Sequence, residues 1–297
     1  MDLAKENTKT EPLHLSGALR KRVSIQGYEG CFHQVAAYHY FGEDIDIVPC
    51  STFREVTNMV ESGEVDAGMM AIENSIAGSI LPNYSLLQNC SLKITGEILL
   101  LIRQNLMALP GVGIEDIKEI HSHPMALLQC INYIEDLSHP KFKLVETVDT
   151  ALSARELAEN HITNAAAIAG ELAAKLFGLK ILAPDIHTVK NNYTRFLAIE
   201  RADKAGEVAD ADKASFYFKV PHKQNSLLAV LRCFEQYNIN MTKLQSYPIP
   251  SDPFRYLFHV DVEFDDISDY ERVIENMPKV TEEFCICGKY KRGDFIK

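Results

Sequence analysis

Thr194 and Arg195 stand side by side in the stretch NNYTRF, 191–196, just ahead of the apolar residues Leu197, Ala198 and Ile199. The pair joins a hydroxyl, which can donate or accept a hydrogen bond, to a permanent planar cation. The guanidinium suits a small anionic ligand. Tyr, Thr and Phe favour extended backbone, so the stretch reads as a strand. Arg195 then needs a partner, because a guanidinium is rarely buried alone. An exposed Arg on an edge strand satisfies the same spacing.

Three more loops carry polar groups where strands give way to helices. Gly27-Tyr28-Glu29-Gly30 joins a strand to a helix, but it holds two glycines rather than the three of a dinucleotide loop, and Glu29 would repel a pyrophosphate. The free N–H groups of the helix start can still hold a carboxylate. Glu73-Asn74-Ser75, with Gly78, lies past a strand ending at Ile72, where open α/β sheets place their ligand crevice. Ser75 serves equally as a helix cap or a ligand contact. Ser122-His123-Pro124 opens a helix, with Pro124 in its first turn. His121 and His123 lack evident co-ligands, so capping explains them better than a metal does. Thr150 reads as another cap. With Arg195, these loops outline a cleft for a small polyanion.

Positioning them requires an alternation of short apolar strands (23–26, 46–49, 65–72, 92–102, 105–109, 117–121, 142–146, 166–169 and 196–200) with helices at 32–41, 52–62, 124–136, 150–160 and 171–177. That order predicts an α/β fold with parallel strands. Residues 1–21 form a polar leader and 203–213 a linker without apolar period. Beyond the linker, 214–292 read as strand, helix, two strands, helix, strand: the βαββαβ order of ferredoxin-like α+β domains. Its edge strands invite pairing with a second copy.

Composition bounds the rest. The 297 residues suggest about two domains, and a net charge of −11 disfavours general nucleic-acid binding. No secretory signal and no run long enough to cross a membrane is present, so a cytoplasmic protein is expected. The seven cysteines, at 31, 50, 90, 130, 233, 285 and 287, are odd in number and contain no CxxC, which predicts reduced thiols.

GYEGCFHQVAA (27–37), AIENSIAGSI (71–80), SHPMALLQC (122–130) and NNYTRFLAI (191–199) together resemble the prephenate dehydratase family. The tail resembles that family's ACT regulatory domain. The resemblance implies a two-lobed catalytic domain over 22–202, folded like a periplasmic binding protein, with the active site in the cleft. Lobe one would hold about 22–102 and 192–202, and lobe two about 103–190. It implies conversion of prephenate to phenylpyruvate without metal or cofactor, in a self-associating enzyme (dimer or tetramer) regulated by phenylalanine. Thr194 would act at the leaving hydroxyl and Arg195 on a carboxylate. Gly30, Cys31, Asn74, Ser75, His123 and Phe196 would bind substrate, and Asn225, Ser226, Leu227, Gln245 and Ser246 the effector. Cys31 stands where the family usually has Thr or Ser, and Ala77 where it often has Glu. In the tail, Gln245-Ser246-Tyr247-Pro248 replaces ESRP and Asn225-Ser226-Leu227 replaces Gly-Ala-Leu. Arogenate dehydratase and a non-enzymatic amino-acid sensor are the alternatives that sequence leaves open.

Overall fold

The computed structural model describes residues 20–88, 91–137, 142–249 and 252–297. The leader 1–21 falls outside them except for Arg20 and Lys21. The chain opens with β1 (Lys21–Gln26), α1 (Phe32–Phe41), β2 (Ile45–Cys50), α2 (Phe53–Ser62), β3 (Ala67–Asn74), the short β4 (Gly78–Ser79), α3 (Leu81–Leu86) and β5 (Leu92–Leu101). Helix α2 shows why these segments form. The Thr52 side chain accepts from Glu55 N–H at its start, Val56 and Val60 face inward, and Gly63 closes it in the left-handed region.

The chain then builds a second sheet. Its elements are β6 (Asn105–Ala108), β7 (Glu119–Ser122), α4 (Pro124–Gln129), α5 (Ile131–Asp136), β8 (Lys143–Glu146), α6 (Thr150–Glu159), β9 (Ala165–Ala169), α7 (Glu171–Phe177) and β10 (Lys180–Ala183). The single helix expected over 124–136 is broken at Cys130, whose ψ of 7° interrupts the turn. Strand β11 (Tyr193–Arg201) returns to the first sheet and inserts between β3 and β5, antiparallel to both.

The C-terminal domain follows as β12 (Lys213–Lys219), α8 (Ser226–Gln236), β13 (Asn240–Ile249), β14 (Asp252–Glu263), α9 (Ile267–Val280) and β15 (Glu283–Tyr290). Its four strands run β13-β14-β12-β15, all antiparallel, the ferredoxin-like order. A last strand, β16 (Phe295–Ile296), goes back to pair with β5. The first sheet is therefore β16-β5-β11-β3-β1-β2 with β4 beside β3, and the second is β10-β6-β9-β7-β8. Both contain the expected parallel pairs, β1 with β2 and β3 and β7 with β8 and β9, and add antiparallel ones. A strand returning from the other lobe enters from the opposite end.

The first sheet is covered on both faces. On one, Met69, Ala71, Phe196 and Ala198 share a core with Ala154, Leu157 and Ala173 of the second lobe. On the other, Met70, Ile72, Leu197 and Ile199 pack against Tyr247, Leu257, Cys287 and Tyr290 of the C-terminal domain. Period-2 alternation along residues 69–72 of β3 and 196–199 of β11 thus assigns one face to the inter-lobe side and one to the C-terminal domain. Cys31, Cys50, Cys130, Cys233 and Cys287 are free and buried, whereas Cys285 is disulfide-bonded. That corrects the expectation of seven reduced thiols; Cys90 lies outside the described residues. No helix among the described residues is long and apolar enough to cross a membrane.

Candidate active site

A cavity of about 300 Å³ lies between the two lobes. Thr194 and Phe196 of β11, Ala71 and Asn74 of β3, and Cys31, Phe32 and His33 at the start of α1 form its first-lobe wall. His123 and Met125 at the start of α4, Gln129, and Asp149 and Thr150 at the start of α6 form the other wall, with Gln104 between. Three helix N-termini therefore meet at the cavity with the positive ends of their dipoles, and that of α1 has no side-chain cap. Among the described residues lining it there is no Lys or Arg, and Asp149 is the one carboxylate.

Asn74 makes five hydrogen bonds there. Its Oδ1 accepts from the N–H groups of Ile76 (3.0 Å) and Ala77 (2.9 Å), which fixes the orientation of the amide. Its Nδ2 then donates to Asn192 Oδ1 (2.7 Å), Tyr193 O (3.2 Å) and Thr194 Oγ1 (2.9 Å). With a donor already on Oγ1, the Thr194 hydroxyl keeps its own proton for a partner in the cavity.

Arg195 departs from its expected role. It is one residue from Thr194 on a strand, so it leaves by the opposite face. Its Nε donates to Glu97 Oε2 at 2.6 Å, Nη1 to Asp261 Oδ2, and Nη2 to the Tyr290 hydroxyl at 3.0 Å. Burial alone would lower the Arg195 pKa, but Asp261, Tyr290 and Glu97 overcome it and hold the pKa well above its usual value. Burial likewise opposes the charge on Asp261, yet Arg195 and His259 keep that carboxyl well below its ordinary range. The carboxylate partners of Arg195 are thus the protein's own, and a substrate carboxylate in the cavity does not reach it.

The other expected ligands divide. Cys31, Asn74, His123 and Phe196 line the cavity, while Gly30 and Ser75 do not. Gly30 sits at φ +86° and would clash with Ala173 if it carried a Cβ, so it lets the lobes approach, and its N–H is taken by Gln34 Oε1 at 2.7 Å. Ser75 Oγ accepts from Tyr193 N–H at 2.9 Å and donates to Asn191 O at 3.3 Å, tying the end of β3 to the start of β11 rather than capping a helix. His123 caps α4, its Nδ1 accepting from Met125 N–H. Asp149, not Thr150, caps α6, with Oδ1 accepting from Leu152 N–H at 2.9 Å. Burial pushes the Asp149 carboxyl up, against the pull of Leu152 and Ala151 N–H groups and of His123 and Arg155. Burial also pushes the Cys31 thiol up to about 12, which keeps it protonated and unreactive.

The prephenate dehydratase family model matches residues 23–204, more than half of the chain and the whole of this cavity. The chain belongs to that family. It is 37% identical over 280 residues to "Arogenate dehydratase/prephenate dehydratase 2, chloroplastic" of Arabidopsis thaliana, covering 91% of this chain and 71% of the relative. The structure of prephenate dehydratase from Arthrobacter aurescens in complex with L-Phe superposes with a TM-score of 0.82 at 28% identity, covering 91% and 90% of the two chains. A structure described as GqqA, a novel type of quorum quenching acylase, gives 0.81 at 27% identity, covering 92% and 98%.

Within this family member, sequence reasoning missed His33, Gln104 and Asp149. His33 is partly buried between Phe53 and Phe196, with ring centroids 5.4 and 5.0 Å away, and desolvation lowers its pKa to about 3. Its place next to the GYEGC turn was the available signal. The expected effector residues also divide. Asn225, Ser226 and Leu227 line a hollow of about 260 Å³ with Arg255, Tyr256 and Phe258. Asn225 holds the left-handed conformation (φ 66°) at the start of α8, and the buried Ser226 hydroxyl has no hydrogen-bond partner. Gln245 and Ser246 are elsewhere, on edge strand β13, so a single chain does not bring the five together. No group of three or more His, Cys, Asp or Glu among the described residues is placed to hold a metal.

Proposed function

We infer that the protein is a dehydratase, a carbon–oxygen lyase converting prephenate to phenylpyruvate. The observation that carries this is the Asn74–Thr194 hydrogen bond at the floor of a cavity built from the family's matching residues. In the reaction the bond from the ring to its carboxylate breaks, its electron pair moves through the ring, and hydroxide departs from the opposite carbon. One proton is consumed, and carbon dioxide and water leave. Thr194 is the hydroxyl facing that departing oxygen, where a hydrogen bond strengthens as charge develops. The N-terminus of α1, which no side chain caps, offers N–H groups to a substrate carboxylate in place of a cation. Aromatisation supplies the driving force, so the chemistry calls for no metal or organic cofactor. The experiment is direct: ultraviolet absorbance of phenylpyruvate after mixing protein with prephenate, with no increase overturning the reading.

Arogenate is the second reading, favoured by Asp149. Arogenate carries an ammonium where prephenate carries a ketone, and a cavity lined by a carboxyl group and by no Lys or Arg favours the less anionic substrate. Kinetics on both substrates separates the two.

The C-terminal domain is read as an ACT domain that senses phenylalanine. The hollow at the start of α8 supports it, with an unpartnered hydroxyl for the ammonium or carboxylate and Arg255 beside it. Edge strand β13 supports self-association into a dimer or tetramer, which would bring Gln245 and Ser246 of one copy to the α8 end of another. Inhibition by phenylalanine, with sedimentation followed in parallel, tests both points.

A further inference from the structure

Behind the Asn74–Thr194 pair lies a second cross-strand pair. Along the β3–β11 ladder Thr194 is opposite Asn74, and Arg195 is opposite Glu73. The register then slips: Phe196 is opposite Ala71, leaving Ile72 as the extra residue of a β-bulge. The slip exchanges two side chains. Met69 and Ala71 face the cavity side while Met70 and Ile72 face the C-terminal domain. Unbroken alternation would send Glu73 into the cavity and Asn74 to the back. With the bulge, Asn74 lines the cavity and Glu73 turns to the C-terminal domain.

Both charges at the back are held from that domain. Lys243 of β13 binds Glu73 Oε1 and donates to Ser79 Oγ at 2.7 Å. Asp261 of β14 and Tyr290 of β15 bind the Arg195 guanidinium. Tyr290 and Asp261 are in turn joined through the Ser215 hydroxyl. Strand β14 also carries Arg255, Tyr256 and Phe258 to the hollow at the start of α8, a few residues from Asp261.

We propose that Glu73 and Arg195 are positioning residues, through which the C-terminal domain holds Asn74 and Thr194 in register from the back of the sheet. The inference rests on the reading of Thr194 as the group at the leaving oxygen. Peptide units link each back residue directly to its front neighbour. A shift of either ion pair therefore moves the Asn74–Thr194 hydrogen bond, and small misplacements at a reacting centre cost rate rather than binding.

The test uses the full-length protein with Lys243→Met, which removes one grip without touching the cavity. The expected result is a fall in kcat of about tenfold with KM within about twofold, rescue by Lys243→Arg, and no further loss when combined with Thr194→Ala. The methyl resonance of isotopically labelled Thr194 should move in Lys243→Met and stay fixed in the control Lys175→Met, whose pair with Glu171 lies on the exposed face of α7. Should Lys243→Met fail to fold, Tyr290→Phe removes one hydroxyl from the Arg195 side, with the same expectations. Wild-type kcat in the folded variant, or losses that multiply with Thr194→Ala, would overturn the proposal. If the unmodified enzyme turns over neither prephenate nor arogenate, the functional reading fails instead, and the Thr194 resonance alone decides the positioning role.

Discussion

Asn74 Nδ2 and Thr194 Oγ1 meet at 2.9 Å across two antiparallel strands, with the amide locked by two backbone donors on its other end. A hydroxyl that already accepts one hydrogen bond is left as a donor toward the cavity, and its oxygen is better able to carry charge. Thr194→Ala should therefore lower kcat by roughly two to four powers of ten with little change in KM. Asn74→Ala, which frees the rotamer but keeps the hydroxyl, should cost less, about one to two powers of ten. Steady-state kinetics on folded variants checks both, and full activity in Thr194→Ala removes the residue from the mechanism.

Asp149→Asn is expected to change substrate choice rather than fold. Asparagine caps a helix as well as aspartate does, so the bond to Leu152 N–H is retained and stability changes little. The lost negative charge should lower KM for dianionic prephenate and raise it for arogenate. A swing of about tenfold in the ratio of kcat/KM values, ~1.4 kcal/mol, is the expected size. An unchanged ratio would mean that neither substrate's variable end approaches Asp149.

His33 gives a pH prediction with a definite sign. Its pKa in the folded protein is held near 3 by burial, against an ordinary value of 6.5. Between those values the unfolded chain binds a proton that the folded one does not, so stability falls as the pH drops through this window. The slope from one such group is up to ~1.4 kcal/mol per pH unit. Urea unfolding of wild type and His33→Leu at several values from pH 7 to 4 should show a shallower decline in the variant. Parallel curves would place the acid sensitivity elsewhere.

The four motifs around the cavity were legible because each couples a strand end to a turn or helix start, and the βαββαβ order of the tail was legible from its period. Three things were not. The bulge at Ile72 leaves no mark in residue type, since a one-residue slip depends on how β11 meets β3. The return of Phe295 and Ile296 to β5 is too short for any pattern to show. The destination of Arg195 was half visible: period 2 puts it opposite Thr194 and Phe196, so the three could not all face one ligand. What sequence could not supply is that a second domain covers that other face with Asp261 and Tyr290. Chemistry alone favoured a substrate carboxylate, and the protein provides its own.

Arg195→Lys follows from that placement. Lysine keeps the charge but offers one nitrogen where the guanidinium spreads three contacts over Glu97, Asp261 and Tyr290. Lys213, also on Glu97 at 2.9 Å, cannot take over the bond to Tyr290. Disturbing a buried ion pair costs about 3–5 kcal/mol when a charge is left unmatched, and lysine should lose the lower part of that range. The expected variant unfolds at lower denaturant and has reduced kcat, while KM for the substrate matches wild type. A group that gripped a substrate carboxylate would show the reverse, with KM raised and the unfolding midpoint unchanged. Measuring both quantities on one preparation decides between the two faces of the strand.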